Sequence, residues 1–152
     1  MSCRIYMDHA ATTEMLPEVR EAMEPYLREE YGNASTSYEM GVRMHDAIEE
    51  AREKIAWVID AQPEEIFFTS GGSESDNWVI KSVAGEKKNS GKHLITTRIE
   101  HHAVLRSCQY LESLGYEVTY LDVDDYGLVS AKEVVHALRE DTTLVSVMTG
   151  NN

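Results

Sequence analysis

The sequence is poor in cysteine and contains no long apolar run. Its two cysteines, Cys3 and Cys108, fit no metal-binding spacing such as Cys-x-x-Cys. No apolar stretch is long enough to span a bilayer. The first residues also lack the basic and then apolar pattern of a secretory signal. We therefore expect a cytoplasmic protein without a membrane partner.

Positive charge is also scarce. The 152 residues include 27 acidic against 14 basic side chains, which gives a formal net charge of −13. Such a surface repels phosphate backbones and anionic lipids, so nucleic acid is not an expected partner. Most acids fall on the polar faces of predicted helices, where they solvate the surface. A basic protein partner is compatible with this charge.

What the sequence does contain is a regular alternation of elements. Apolar periodicity predicts helices over 16–29, 40–60, 74–84, 101–114 and 130–140, and strands over 65–69, 93–97, 117–123 and 143–148. The alternation predicts an α/β fold, a mostly parallel sheet with flanking helices. The ligand site of such a sheet lies outside the carboxyl ends of its strands, which here are 70–75, 98–102 and 149–152. Because no helix follows the last strand, we expect an incomplete domain.

The first of these places is a turn with two glycines between a predicted strand and a helix. Glycine lets the backbone approach a ligand closely, and the first N–H groups of a helix have no internal partner. A phosphate fits such a site, with Gly72 at the backbone and Ser73 adding a hydroxyl. An ordinary serine cap after a strand fits the same spacing, and the turn is neither a Walker loop nor a G-x-G-x-x-G fingerprint.

Polar side chains follow the other two strands. His101 could stack on an aromatic ligand or move a proton near neutral pH. A solvated pair with His102 is an alternative, and a metal site lacks an evident third ligand. The amides of Asn151 and Asn152 could donate to a ring substituent, or could belong to an ordinary turn.

Taken together, five motifs carry a specific resemblance. In this order and at this spacing they resemble cysteine desulfurases, members of the class V aminotransferase superfamily of fold type I, which depend on pyridoxal 5′-phosphate (PLP). The resemblance covers nearly the whole chain. The motifs are DHAATT at 8–13, GNAS at 32–35, FTSGGSESDN at 68–77, EHHAV at 100–104, and LVSVMTGNN at 144–152.

The resemblance implies roles for individual residues. Gly72 and Ser73 match the pair that holds the PLP phosphate. His101 matches the histidine that stacks on the pyridine ring and assists proton transfer, and Asn152 matches the asparagine that contacts the ring hydroxyl. The segment 10–13 and the loop at Asn33 match stretches near the substrate pocket. The implied organisation is an N-terminal arm and helix over 1–30 and the first part of the PLP-binding large domain over 31–152.

The implied reaction removes sulfur from L-cysteine, giving alanine and a protein-bound persulfide for iron–sulfur cluster assembly or thiolation. Family members are homodimers that pass sulfur to an acceptor or scaffold protein. The family's Schiff-base lysine, pyridinium aspartate, Ser-x-His segment and sulfur-accepting cysteine would lie beyond residue 152. We therefore expect the remainder of the fold to come from a C-terminal part or a second chain, and this chain alone to be inactive. Alternatives are a selenocysteine lyase, an aminotransferase, or a non-catalytic partner subunit.

The sequence departs from the family pattern at three positions. In the loop at 33–38, the family's proline is Ala34 and its histidine is Tyr38. At the phosphate, the usual threonine is Ser73, which keeps the hydroxyl.

Overall fold

Three parallel strands form the sheet: β1 (His93–Thr97), β2 (Glu117–Leu121) and β3 (Thr142–Val145). The strand order is β2-β1-β3, so β1 lies in the middle and all of its residues are buried. The computed structural model describes residues 5–151. Within that range the predicted α/β fold is confirmed, with three strands instead of four.

The helices lie close to where apolar periodicity predicts them. Helix α3 starts two residues before its predicted start and continues three residues past its predicted end at 84. The helices are α1 (Pro17–Arg28), α2 (Glu39–Val58), α3 (Gly72–Lys87), α4 (His102–Ser113) and α5 (Ala131–Ala137), with a 3-10 turn at Pro63–Glu65.

The chain divides into two compact units. One unit is Thr12–Phe68, which contains α1, α2 and the 3-10 turn. The other combines 5–11 with 69–151 and contains the sheet and α3 to α5. The predicted division of the chain at residue 30 stays a prediction.

Helices α3 and α4 pack on each other and supply most of the core beside β1. The cluster consists of Ile80, Ala84, Leu94, Val104, Cys108 and Leu111. Cys108 is buried, and this burial raises the pKa of its thiol to about 11. Helix α4 ends at a glycine with φ 84°, Gly115, where Tyr116 N donates to Leu111 O at 3.1 Å.

The predicted strand over 65–69 is wrong. Gln62 and Pro63 begin a 3-10 turn, in which Gln62 N donates to the Glu65 carboxylate at 2.8 Å. The residues that follow are not assigned to a strand within residues 5–151, and Phe67 and Phe68 are 64% and 50% exposed. The β-branched and aromatic composition indicated a buried strand, but such composition reflects packing on a half-buried surface more than an intrinsic backbone preference.

Candidate functional site

The connectivity of the sheet brings three segments to one edge. Strands β1 and β3 are adjacent and parallel, so the segments that follow them, 98–101 and 146–151, leave the same edge. A five-residue loop, 88–92, joins the end of α3 to the start of β1. Helix α3 therefore ends near the amino end of β1. Because the helix packs beside this strand and is longer than it, the beginning of α3 lies toward the carboxyl edge. Helix α4 also begins at this edge.

The start of α3 leaves the backbone N–H groups of Gly72 and Ser73 open. Gly71 has φ 157° and its carbonyl accepts from Glu74 N at 3.1 Å and Ser75 N at 3.2 Å. The N–H groups of Gly72 and Ser73 have no hydrogen-bond acceptor in the described chain. A Cβ added to Gly71 or Gly72 would meet no atom within 4 Å, so the space beside these two Cα atoms is open.

The acidic side chain in the first turn of α3 is already occupied. The Glu74 carboxylate accepts from Ser70 N at 2.6 Å, and this contact lowers the pKa of Glu74. The carboxylate thus folds back on the turn and satisfies the N–H of Ser70. An anion at this turn would meet the free N–H groups of Gly72 and Ser73 and the positive end of the helix dipole.

His101 is the N-cap residue of α4 and its side chain is exposed. Its Nδ1 accepts from Ala103 N at 3.1 Å, so the neutral ring carries its proton on Nε2. Nε2 has no hydrogen-bond partner in the part of the chain that the structure describes. The ring of His102 lies 6.3 Å from that of His101, edge to face. No hydrogen bond joins His101 to Gly72 or Ser73 within residues 5–151.

Glu100 is a site residue to which the sequence interpretation assigned no role. It is 6% exposed, and one oxygen, Oε1, accepts from Thr97 Oγ1 at 2.9 Å and from Met148 N at 2.8 Å. In the sequence, only its position directly before His101 pointed to Glu100. Its hydrogen-bond partner Met148, 48 residues later in the chain, is visible only in the structure.

The second asparagine of the predicted pair, Asn152, lies outside the described residues, so its contact with a ring hydroxyl stays a prediction. Its neighbour Asn151 donates from Nδ2 to the carbonyl of Ile99. This bond and the Glu100–Met148 bond both link the segment after β3 to the turn after β1.

In the unit Thr12–Phe68, the loop that departs from the family pattern is closed by its own side chains. Asn33 N donates to the Tyr38 hydroxyl at 3.0 Å, and Ser35 N donates to Asn33 Oδ1 at 2.9 Å. Hydrogen bonds from Thr36 and Asn33 lower the pKa of Tyr38. A Cβ on Gly41 would clash with Thr36 Oγ1, so the loop requires glycine there. The tyrosine that replaces the expected histidine therefore has a structural part in the loop.

Metal-binding and membrane-spanning features are both absent from residues 5–151. In this range no group of three His, Cys, Asp or Glu side chains is arranged to hold a metal ion. No helix among the same residues combines the length and apolarity needed to cross a membrane.

The chain is similar in sequence to a known family over nearly its whole length. Residues 5–152 match the family Aminotransferase class-V. The chain is 53% identical over 148 residues to a cysteine desulfurase IscS of Methanosarcina thermophila, covering 97% of this chain and 37% of that protein. It is 52% identical over 152 residues to a cysteine desulfurase IscS of Dictyoglomus turgidum, covering 100% and 39%. The chain thus spans less than two-fifths of either relative.

Two solved structures are also similar to the chain in fold and in sequence. A NifS-like protein superposes with a TM-score of 0.93 at 43% identity, over 98% of this chain and 41% of that one. A structure of SspA in complex with cysteine superposes with a TM-score of 0.90 at 41% identity, over 96% and 42%.

Proposed function

The chain belongs to the aminotransferase class-V family, and from that premise we propose that it supplies part of the active site of a PLP-dependent cysteine desulfurase. The open start of α3 carries the proposal: two unpartnered N–H groups, at Gly72 and Ser73, face free space beside the exposed Ser73 side chain. The relatives named cysteine desulfurase, and the SspA structure that contains cysteine, support L-cysteine as the substrate.

The residues present fit the phosphate of PLP. A phosphate dianion needs several N–H or O–H donors and benefits from the positive end of a helix dipole. Gly72 and Ser73 would provide the backbone donors and the hydroxyl. A Cβ added at Gly71 or Gly72 would have no neighbouring atom within 4 Å, so there is open space beside the backbone of these two glycines. When bound, PLP supplies an electron sink that stabilises negative charge on the substrate carbon.

His101 would act on the ring side of the same site. Its exposed imidazole offers a flat face on which a pyridine ring can stack. The cap bond to Ala103 N fixes Nδ1 as an acceptor, so Nε2 is the atom that holds a proton for transfer. Asn152, as the contact to the ring hydroxyl, completes the proposed cofactor set.

The overall reaction balances without an external oxidant. The C–S bond of L-cysteine breaks, the β-carbon gains a hydrogen, and alanine leaves. The sulfur forms an S–S bond with a protein thiol, giving a persulfide. That thiol and the lysine that would anchor the cofactor are expected C-terminal to residue 152. The buried Cys108, whose pKa is raised to about 11, is a poor nucleophile for this step.

The test measures binding of pyridoxine 5′-phosphate, which lacks the aldehyde and so cannot couple to surface lysines. Calorimetry on the 152-residue chain should detect it, while pyridoxine without phosphate should bind at least tenfold more weakly. Ser73→Ala should weaken binding about fivefold to tenfold, because one hydrogen bond to an anion is lost. Ser90→Ala, after the opposite end of α3, is the matched control. Equal binding of the two ligands, or equal effects of the two substitutions, would contradict the proposal.

The wider expectations stay predictions: a homodimer, a cytosolic location, and a sulfur acceptor or scaffold partner of iron–sulfur cluster assembly or thiolation. A selenocysteine lyase, another class V aminotransferase and a non-catalytic partner subunit are the competing outcomes. The test is release of alanine from L-cysteine by the chain combined with the missing part of the fold. Release of alanine would distinguish a desulfurase from a selenocysteine lyase or another class V aminotransferase. Absence of any turnover in that combination would favour the partner subunit.

A further inference from the structure

The buried carboxylate at the carboxyl end of β1 connects two parts of the site that are far apart in sequence. Glu100 Oε1 accepts from Thr97 Oγ1 on its own strand end and from Met148 N in the segment after β3. The residue is 6% exposed. A buried carboxylate is costly unless it is hydrogen-bonded, so these two contacts account for its place in the fold.

The carboxylate of Glu100 lies beside two segments that lead to residues of the proposed site. Glu100 directly precedes His101, whose backbone has the extended N-cap conformation, φ −58° and ψ 147°. Met148 lies three residues before Asn151, which itself donates to the Ile99 carbonyl. The carboxylate therefore fixes both the turn that presents the imidazole and the segment that leads to Asn152.

We propose that Glu100 is a positioning residue that sets the placement of His101 relative to the segment 148–151. It acts through hydrogen bonds and does not touch the ligand in this proposal. An acceptor oxygen at this point is the essential feature, because both partners are donors. The part of the proposal that concerns cofactor affinity rests on the proposed function, whereas the placement of His101 and Met148 does not.

Three variants test the proposal. Glu100→Ala removes the acceptor, and Glu100→Gln keeps an acceptor oxygen without the charge. Thr119→Val is the control: it removes one partly buried hydrogen bond elsewhere in the same sheet, where Thr119 Oγ1 lies 2.8 Å from His93 Nε2. If Glu100→Ala does not fold, Glu100→Asp, which withdraws the acceptor by one methylene, takes its place.

Nuclear magnetic resonance gives a readout that does not depend on the cofactor. In Glu100→Ala, we expect hydrogen exchange of the Met148 amide to accelerate at least tenfold and the ring nitrogen signals of His101 to lose their single tautomer. Glu100→Gln should restore both. Thr119→Val should lower the unfolding midpoint while leaving both signals as in the parent chain. Unchanged Met148 exchange and His101 signals in Glu100→Ala would overturn the proposal.

Affinity for pyridoxine 5′-phosphate gives the second readout. Glu100→Ala should bind it at least fivefold more weakly than the parent chain, and Glu100→Gln within twofold. Parent-like affinity in Glu100→Ala overturns the link between Glu100 and the site. If the parent chain itself does not bind the compound, the proposed function fails, and the resonance signals alone confirm or overturn the positioning role.

Discussion

At the amino end of β1, His93 is fully buried, with its ring nitrogens 2.8 Å from the hydroxyls of Thr142 and Thr119. At the carboxyl end, His101 follows the same strand but is exposed, and only its Nδ1 has a partner within the described residues. The first ring bridges β3 and β2 across the central strand. The second ring caps α4 and leaves one nitrogen for a ligand.

The difference shows how one residue type serves the fold at one end of a strand and the site at the other. A buried polar ring is tolerated only when its hydrogen bonds are made, and His93 makes both. A residue that is to meet a ligand must keep a donor or acceptor free, and His101 does so with Nε2. The turn before α3 follows the same logic, since Gly72 and Ser73 also keep their N–H groups free in the described chain.

The largest expected effect is on stability. His93→Ala should lower the free energy of unfolding by about 2–4 kcal/mol, because it leaves a cavity and two partly buried hydroxyls without their partner. His101→Ala should cost about 1 kcal/mol or less, the value of a lost N-cap. Chemical denaturation measures both, and the exposed His136→Ala on α5 serves as the surface control. Equal losses for His93→Ala and His101→Ala would remove the contrast between the two ends.

The second expected effect is a dependence of stability on pH that arises from His93. Burial lowers the pKa of His93 from its ordinary value of 6.5, with Arg139 acting in the same direction and Asp141 and Glu117 opposing it. The unfolded chain therefore takes up a proton before the folded chain does. Stability is fully present above pH 6.5 and falls below it, by up to about 1.4 kcal/mol per pH unit.

The variant His93→Gln isolates this effect, because glutamine does not titrate. The difference in unfolding free energy between the parent chain and this variant should change between pH 7 and pH 5. A pH-independent difference for His93→Gln would show that the buried ring is not the titrating group.

The smallest expected effect on stability is that of His101→Asn. Asparagine is a good N-cap, so the unfolding free energy should stay within about 0.5 kcal/mol of the parent value. The stacking face and the Nε2 proton are lost, so affinity for pyridoxine 5′-phosphate should fall about threefold to tenfold, the cost of an aromatic contact. Calorimetry measures the affinity and denaturation the stability. Unchanged affinity would sink the stacking role of His101.

The sequence by itself determined the elements whose signals are local. Helical periodicity predicted α1 to α5 within a few residues, and the run at 93–97 predicted β1, since each of these depends on neighbours a few positions away. The ordered motifs also indicated the family. By contrast, the composition of 65–69 predicted a buried strand, whereas the structure assigns no strand there and leaves Phe67 and Phe68 exposed.

Only the tertiary structure decided which of the polar residues belong to the fold and which to the site. The partners of His93 lie 49 and 26 residues away, and the partner of Glu100 lies 48 residues away. Which side chains meet depends on the register of β1 with β2 and β3, and no local pattern specifies that register. Burial with satisfied hydrogen bonds makes His93 and Glu100 parts of the framework, whereas exposure with an open nitrogen makes His101 available to a ligand.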